Sequence, residues 1–226
     1  KTLEKNKITM NPKDEDRIMI DVSRGLLGIY HGIEGLHKGP NLIIANFPLR
    51  WTVNGREKFY KKGINAVITS QRAIPSQYMD PKIKNRSRLF YLTANIEASL
   101  FKGENNWALL LDNNGFVSEG TGSCFFIIKD GKAFTPKGIH LLRGISRNYV
   151  IKLCKELKIP VHEMDIEPYD IYSADEAFFT ATPFCMLPAV SLNGLKIGNG
   201  RRGKIFNKLL NLWSEKVGLN IEKQII

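Results

Sequence analysis

Cysteine is scarce in this 226-residue chain: Cys124, Cys154 and Cys185 are the full set, with no Cys-x-x-Cys pair. An odd count without pairing motifs excludes a disulfide framework. Two of the three sit in apolar runs as buried thiols do, so a reducing cytoplasm is the expected compartment. Histidine is equally thin. His31, His37, His140 and His162 share no ligand spacing with the cysteines, and no His-Glu-x-x-His occurs, so no metal site is expected. The absence of a Gly-x-x-x-x-Gly-Lys-Ser/Thr loop and of a Gly-x-Ser-x-Gly elbow leaves nucleotide hydrolysis and α/β-hydrolase chemistry without support. No run approaches the ~20 unbroken apolar residues of a membrane span, so no membrane partner is expected. There is no signal peptide, and the chain opens at Lys1 without a methionine, so it is expected to be incomplete at its N-terminus.

Acidic residues are in deficit, 22 against 33 basic ones, for a net charge of +11. Such a balance suits nucleic acid, membrane surfaces or small anions. The basic residues are spread out, with local clusters at Lys58, Lys61 and Lys62, at Lys82 to Arg88 and at Arg201 to Lys204. No recognition-helix, ribonucleoprotein or zinc-finger pattern accompanies them, so they read as solvated surface and no nucleic-acid partner is expected. With 43% hydrophobic and 24% charged residues, the composition is that of an ordinary globular protein.

No repeat or low-complexity tract is visible. Strand-like apolar runs fall at 18–22, 42–47, 66–70, 107–111, 124–128, 161–166, 176–182 and 187–192. Asp130-Gly131 and Asn193-Gly194 sit between short apolar runs as hairpin tips, which predicts antiparallel pairing in the second half. Helical spacing of Leu89, Leu92, Ile96 and Leu100 predicts a helix over 88–100. A second helix is expected to start with Ser146 as N-cap and to stop before Pro160; a third spans 204–217 and ends at Gly218. Irregular alternation of strands and helices reads as α+β. The expected linker is 48–58.

Four segments can carry chemistry. Lys84 precedes an amphipathic helix, where its amine could enter a cleft; taken alone it is an ordinary surface lysine. Glu119 is the one carboxylate within Gly115-Phe116-Val117-Ser118-Glu119-Gly120-Thr121-Gly122-Ser123, whose small residues permit close backbone approach to a ligand; the plainer reading is a glycine-containing loop. Gly144-Ile145-Ser146-Arg147 opens a helix whose free N–H groups and dipole could hold a phosphate, although most helix starts bind nothing. Thr180-Ala181-Thr182-Pro183 ends a strand with two hydroxyls that could serve the same anion.

Taken in order, Ile83-Lys84, Glu97-Ala98, Leu110-Leu111-Asp112, Gly115 to Gly120, Asp130-Gly131, Thr135-Pro136, Leu142, Gly144-Ile145-Ser146-Arg147, Ala174-Asp175-Glu176 and Thr180-Ala181-Thr182 resemble the class IV pyridoxal-phosphate enzymes. These are the branched-chain and D-amino-acid aminotransferases and aminodeoxychorismate lyase. The match runs over most of 64–203. The resemblance implies fold type IV: a small α/β domain, of which 1–58 would be the remainder and linker, and a larger barrel-like cofactor domain, 59–226. It implies pyridoxal 5'-phosphate as cofactor, a homodimer, and amino and keto acids as substrates. By position, Lys84 matches the lysine that forms the internal aldimine and shuttles the α-proton. Glu119 matches the carboxylate at the pyridine nitrogen, Ile145 and Ser146 the phosphate-binding helix start, and Thr182 the threonine that completes that cup. In relatives, an upstream stretch supplies a further phosphate-binding arginine.

The departures concern substrate. Arg86, Ser87 and Arg88 stand where branched-chain enzymes usually have an Asn-Tyr pair. Val22-Ser23-Arg24-Gly25 resembles a strand end of the lyases and D-amino-acid enzymes, and His31 falls on a carboxylate-binding histidine while Ile29 replaces its companion arginine. Arg88 and His31 are thus the expected binders of a substrate carboxylate. Cys124 replaces a frequent asparagine, Arg143 a proline, and Pro183 removes an N–H from the threonine loop. Transamination is the expected activity, with an aminodeoxychorismate lyase or a noncatalytic cofactor-binding protein as alternatives.

Overall fold

The computed structural model describes every residue except Lys13, His31, Leu36, His37, Lys38, His140, Ile225 and Ile226. The chain forms two compact units, Lys1–Asn54 and Gly55–Ile226. In the first, helix α1 (Thr2–Asn6) precedes strand β1 (Asp16–Ser23), which pairs antiparallel along its whole length with β2 (Asn41–Pro48) before the short α2 (Arg50–Val53). Ile20, Val22, Leu42 and Ile43 on this hairpin are exposed.

The second unit runs α3 (Glu57–Lys62), β3 (Ile64–Arg72), α4 (Leu89–Ser99), β4 (Asn106–Leu111), β5 (Val117–Gly120), β6 (Cys124–Lys129) and β7 (Lys132–Pro136). It continues with α5 (Ile145–Glu156), β8 (Val161–Met164), α6 (Pro168–Tyr172), β9 (Glu176–Ala181), β10 (Cys185–Leu192), β11 (Leu195–Lys196), α7 (Lys204–Val217) and α8 (Ile221–Gln224). One sheet of order β5-β4-β3-β10-β9-β6-β7-β8 results, with β11 on β10. β3 runs parallel to both β4 and β10, β7 is parallel to β8, and the remaining pairs are antiparallel.

This order forces curvature. β5 and β6 have four strands between them, a flat separation of roughly 24 Å. Only Thr121, Gly122 and Ser123 connect Gly120 to Cys124, a span of at most about 14 Å. The sheet therefore curls into a half-barrel that brings β5 back to β6, and a bridge between Gly120 and Ser123 closes the corner. Both faces are buried. The register pairs Phe125 with Phe179 and Phe126 with Phe178. The first pair meets edge to face at 5.0 Å with Trp107 beside it, whereas the second stacks at 5.1 Å under Phe206 of α7 on the other face.

The two hairpins form at the expected tips: Asp130 and Gly131, and Asn193 and Gly194, all have positive φ, as the tight two-residue turn requires. α7 ends at Gly218 in the left-handed conformation. Three expectations change. The N-cap of α5 is Gly144, and Ser146 lies inside the first turn, because the backbone leaves the extended conformation only after Gly144. The segment 48–58 is not a bare linker, since α2 and the start of α3 occupy it. On α4 the stripe of Leu89, Leu92, Ile96 and Leu100 is exposed; the helix instead lays Ala94 and Ala98 on β3 and β4, where small side chains permit close approach. Among the described residues, no helix is long and apolar enough to cross a membrane, and no cluster of His, Cys, Asp and Glu could hold a metal ion.

Candidate active site

Lys84 hangs on the loop between β3 and α4. Glu97, in the last turn of α4, ties that helix to β3, its carboxylate accepting the Ser70 N–H and O–H. A tight turn, Asn85 N–H to Ile83 O at 2.8 Å, centres on Lys84 and turns its side chain toward a cavity. Arg88, Tyr91, Glu119, Leu142 and Met79 line that cavity with it. Part of Lys84 stays open to solvent. The loss of hydration on its cavity side, helped by Arg88 and Arg86, holds the ammonium below the usual lysine range, while Glu119 and Cys124 push the other way.

Glu119 comes to the same cavity from β5, whose four residues are all buried. Asp112 prepares the strand by accepting the Asn114 and Phe116 N–H groups with one carboxylate oxygen. Glu119 is 7% exposed. Its Oε1 accepts the Tyr91 O–H at 2.5 Å and its Oε2 the Leu142 N–H at 3.3 Å. Burial raises its carboxyl above the ordinary range, against the opposing pull of Tyr91, Leu142, Lys84 and Arg88. The next residue, Gly120, is required by packing within the protein rather than by ligand approach: a Cβ there would lie 2.9 Å from Phe179 Cε1.

Cys124 follows at the start of β6, its Sγ directed at Leu142 O at 3.5 Å, and burial pushes this thiol up to about 11. A Cβ on Gly144 would stand 3.2 Å from the same sulfur, so the start of α5 lies against the start of β6. There the N–H groups of Ile145, Ser146 and Arg147 precede the first helical bond, Asn148 N–H to Gly144 O. Ile145 is exposed, and the Ser146 hydroxyl donates to no other described residue. Arg147, missed as a structural element by the sequence reading, is buried and pins this turn to β7 and β8 through Pro136 O at 2.8 Å and Glu163 at 2.7 Å.

Thr182 is exposed in the turn after β9. The register that pairs Cys124 with Thr180 carries that turn past the same end of β6. Lys84, Arg88 and Glu119 thus share one cavity, whereas Ile145, Ser146 and Thr182 stand outside its lining. His31 lies outside the described residues. Glu176, part of the matched pattern, works as a cap: its carboxylate accepts the Ile205 and Phe206 N–H groups of α7 at 2.9 and 2.8 Å.

The pattern of the amino-transferase class IV family matches residues 2–192. The chain belongs to this family. Class IV relatives include the branched-chain-amino-acid aminotransferase of Escherichia coli K12, 34% identical over 171 residues, which are 75% of this chain and 54% of that protein. Among solved structures, the branched-chain amino acid aminotransferase of Thermobaculum terrenum in its PLP form superposes with a TM-score of 0.77 at 26% identity. That match covers 92% of this chain and 65% of the other. A crystal structure of the Escherichia coli branched-chain enzyme gives 0.74 at 30% identity over 90% and 64% of the two chains. The fold is accordingly that of fold type IV. The chain spans about half the length of the curated class IV relatives it matches.

Proposed function

We propose that the protein of which this chain is part is a pyridoxal-phosphate aminotransferase that moves an amino group between an amino acid and a 2-keto acid. The observation that carries this reading is the single cavity shared by the Lys84 amine and the buried Glu119 carboxylate. The donor set fits the cofactor. It offers an amine with a lowered proton affinity, a carboxylate with lone pairs left over, and, at the start of α5, N–H groups and a hydroxyl that no other described residue uses. An unpaired buried acceptor, Asn85 Oδ1, also belongs to the cavity lining.

Pyridoxal phosphate, when bound, supplies an electron sink for the pair left on a substrate α-carbon. Lys84 is the attachment point, and its Nζ removes and returns the α-proton. Desolvation and the neighbouring guanidiniums lower the proton affinity of that amine, the direction that a base and nucleophile needs. With the cofactor bound, Glu119 as a carboxylate would hold a proton at the ring nitrogen. Ile145, Ser146 and Thr182 take the phosphate, the helix start contributing its positive dipole end. Arg88, at the cavity wall with its Nε donating to Asn85 O at 3.0 Å, leaves its outer nitrogens for a substrate carboxylate.

We assign the two units to the small domain and the cofactor domain. A homodimer is supported by the exposed stripe of α4, which needs a cover, and sedimentation of the complete protein tests it. Three free thiols support a cytoplasmic location. The deciding assay incubates the complete protein with leucine, isoleucine, valine and other donors against 2-oxoglutarate or pyruvate. A new amino acid and a new keto acid are expected. Pyruvate release from aminodeoxychorismate with no amino transfer from any donor would overturn the proposal.

A further inference from the structure

Tyr91 belongs to none of the matched motifs, yet it makes the shorter of the two hydrogen bonds to Glu119. Its phenol reaches Oε1 at 2.5 Å from α4, with its ring packed beside the Ala94 and Ala98 contact on β3 and β4. The charged and titratable groups facing Glu119 are Lys84 from its loop, Arg88 and Tyr91 from the start of α4, and Cys124 from β6; the Leu142 N–H completes the set at 3.3 Å. A carboxylate so nearly dry takes up a proton unless donors favour its anion. Tyr91 supplies the strongest such donor. The phenol itself stays protonated, because burial and the adjacent Glu119 push its ionisation far above the ordinary tyrosine value.

We propose that Tyr91 is a positioning residue whose O–H fixes one oxygen of Glu119 and keeps that side chain a carboxylate facing the Lys84 cavity. This deepens the proposed function, on which the role of Glu119 at the ring nitrogen rests.

The test uses the complete protein, freed of cofactor and isotope-labelled at glutamate side-chain carboxyl carbons. The Glu119 resonance is identified by its loss in Glu119→Gln. Tyr91→Phe keeps the ring and its packing and removes only the donor. It should raise the Glu119 titration midpoint by about one pH unit or more. An unmoved midpoint overturns the proposal. In the cofactor-loaded enzyme, the acid limb of the kcat profile should move up by the same amount. In the Glu119→Gln background Tyr91→Phe should move no limb, and an equal movement there would show a merely structural role and overturn the proposal. A raised midpoint with an unmoved acid limb upholds the Tyr91 contact and counts instead against Glu119 at the ring nitrogen.

Discussion

Glu119→Gln separates the two demands placed on this side chain, charge and hydrogen bonding. Glutamine keeps one acceptor oxygen, and the fold has a clear place for it. The Leu142 N–H cannot change direction, so the oxygen turns to it, while the new amide N–H₂ faces Tyr91, whose hydroxyl can rotate and accept. Little packing or hydrogen bonding is lost, and what disappears is the charge. A hydrogen bond from a cationic ring nitrogen to a carboxylate exceeds one to a neutral amide by about 1.4 kcal/mol or more, which predicts a fall in kcat of at least about tenfold. Cofactor affinity should be largely retained, because the phosphate contacts are untouched.

Stability of the cofactor-free protein responds with the opposite sign. Burial raises the Glu119 carboxyl above its ordinary value of 4.5, so between that value and the raised one the folded state holds the proton that the unfolded state has released. The stabilising contribution of this group is complete at lower pH and is lost as pH rises through that window. Glutamine carries no such loss, so the Tm difference, variant minus parent, should grow as pH rises from 4.5 toward neutrality. Steady-state kinetics and thermal unfolding across pH read both effects. An unchanged kcat would remove Glu119 from the ring nitrogen, and a Tm difference that shrinks with rising pH would refute the burial argument.

Arg88→Gln should raise the Lys84 ammonium toward its ordinary 10.5 by removing a repelling charge, read from the pH dependence of Lys84 acylation in cofactor-free protein; no movement would contradict this. Ser146→Ala and Thr182→Val should each weaken cofactor binding roughly tenfold, since hydrogen bonds to charged groups contribute about 1.5–3 kcal/mol, and equal affinity would take either residue out of the phosphate cup. Glu176→Ala removes the cap of α7 and should cost about 1–2 kcal/mol, a lowering of Tm by a few degrees, with kcat/KM unaltered; an unchanged Tm would show that solvent replaces the cap without loss.

The residues with strong local signals were legible from sequence. Asp130-Gly131 and Asn193-Gly194 need positive φ at both positions, and α7 combines an apolar face with a glycine stop, so turn and helix chemistry declare themselves. Family membership was legible because the order of many weak motifs is specific. Other features depend on tertiary packing. α4 buries alanines and leaves its leucines outside, a choice made by the closeness of β3 and β4 rather than by periodicity. β5 is four residues long and lies within a glycine-rich stretch, so nothing local marks it as a strand. Gly144 displaces Ser146 as cap because the backbone leaves the extended conformation directly after Gly144, two residues before the serine. Tyr91 could not be singled out, because its partner lies 28 residues away and only the curled sheet brings the two together.

The covalent role of Lys84 is tested most directly by treating the cofactor-loaded complete protein with borohydride, digesting it and mapping the labelled peptide. The label should fall on Lys84, and Lys84→Ala should abolish both labelling and turnover. Label on any other lysine, with Lys84→Ala still active, would contradict the assignment.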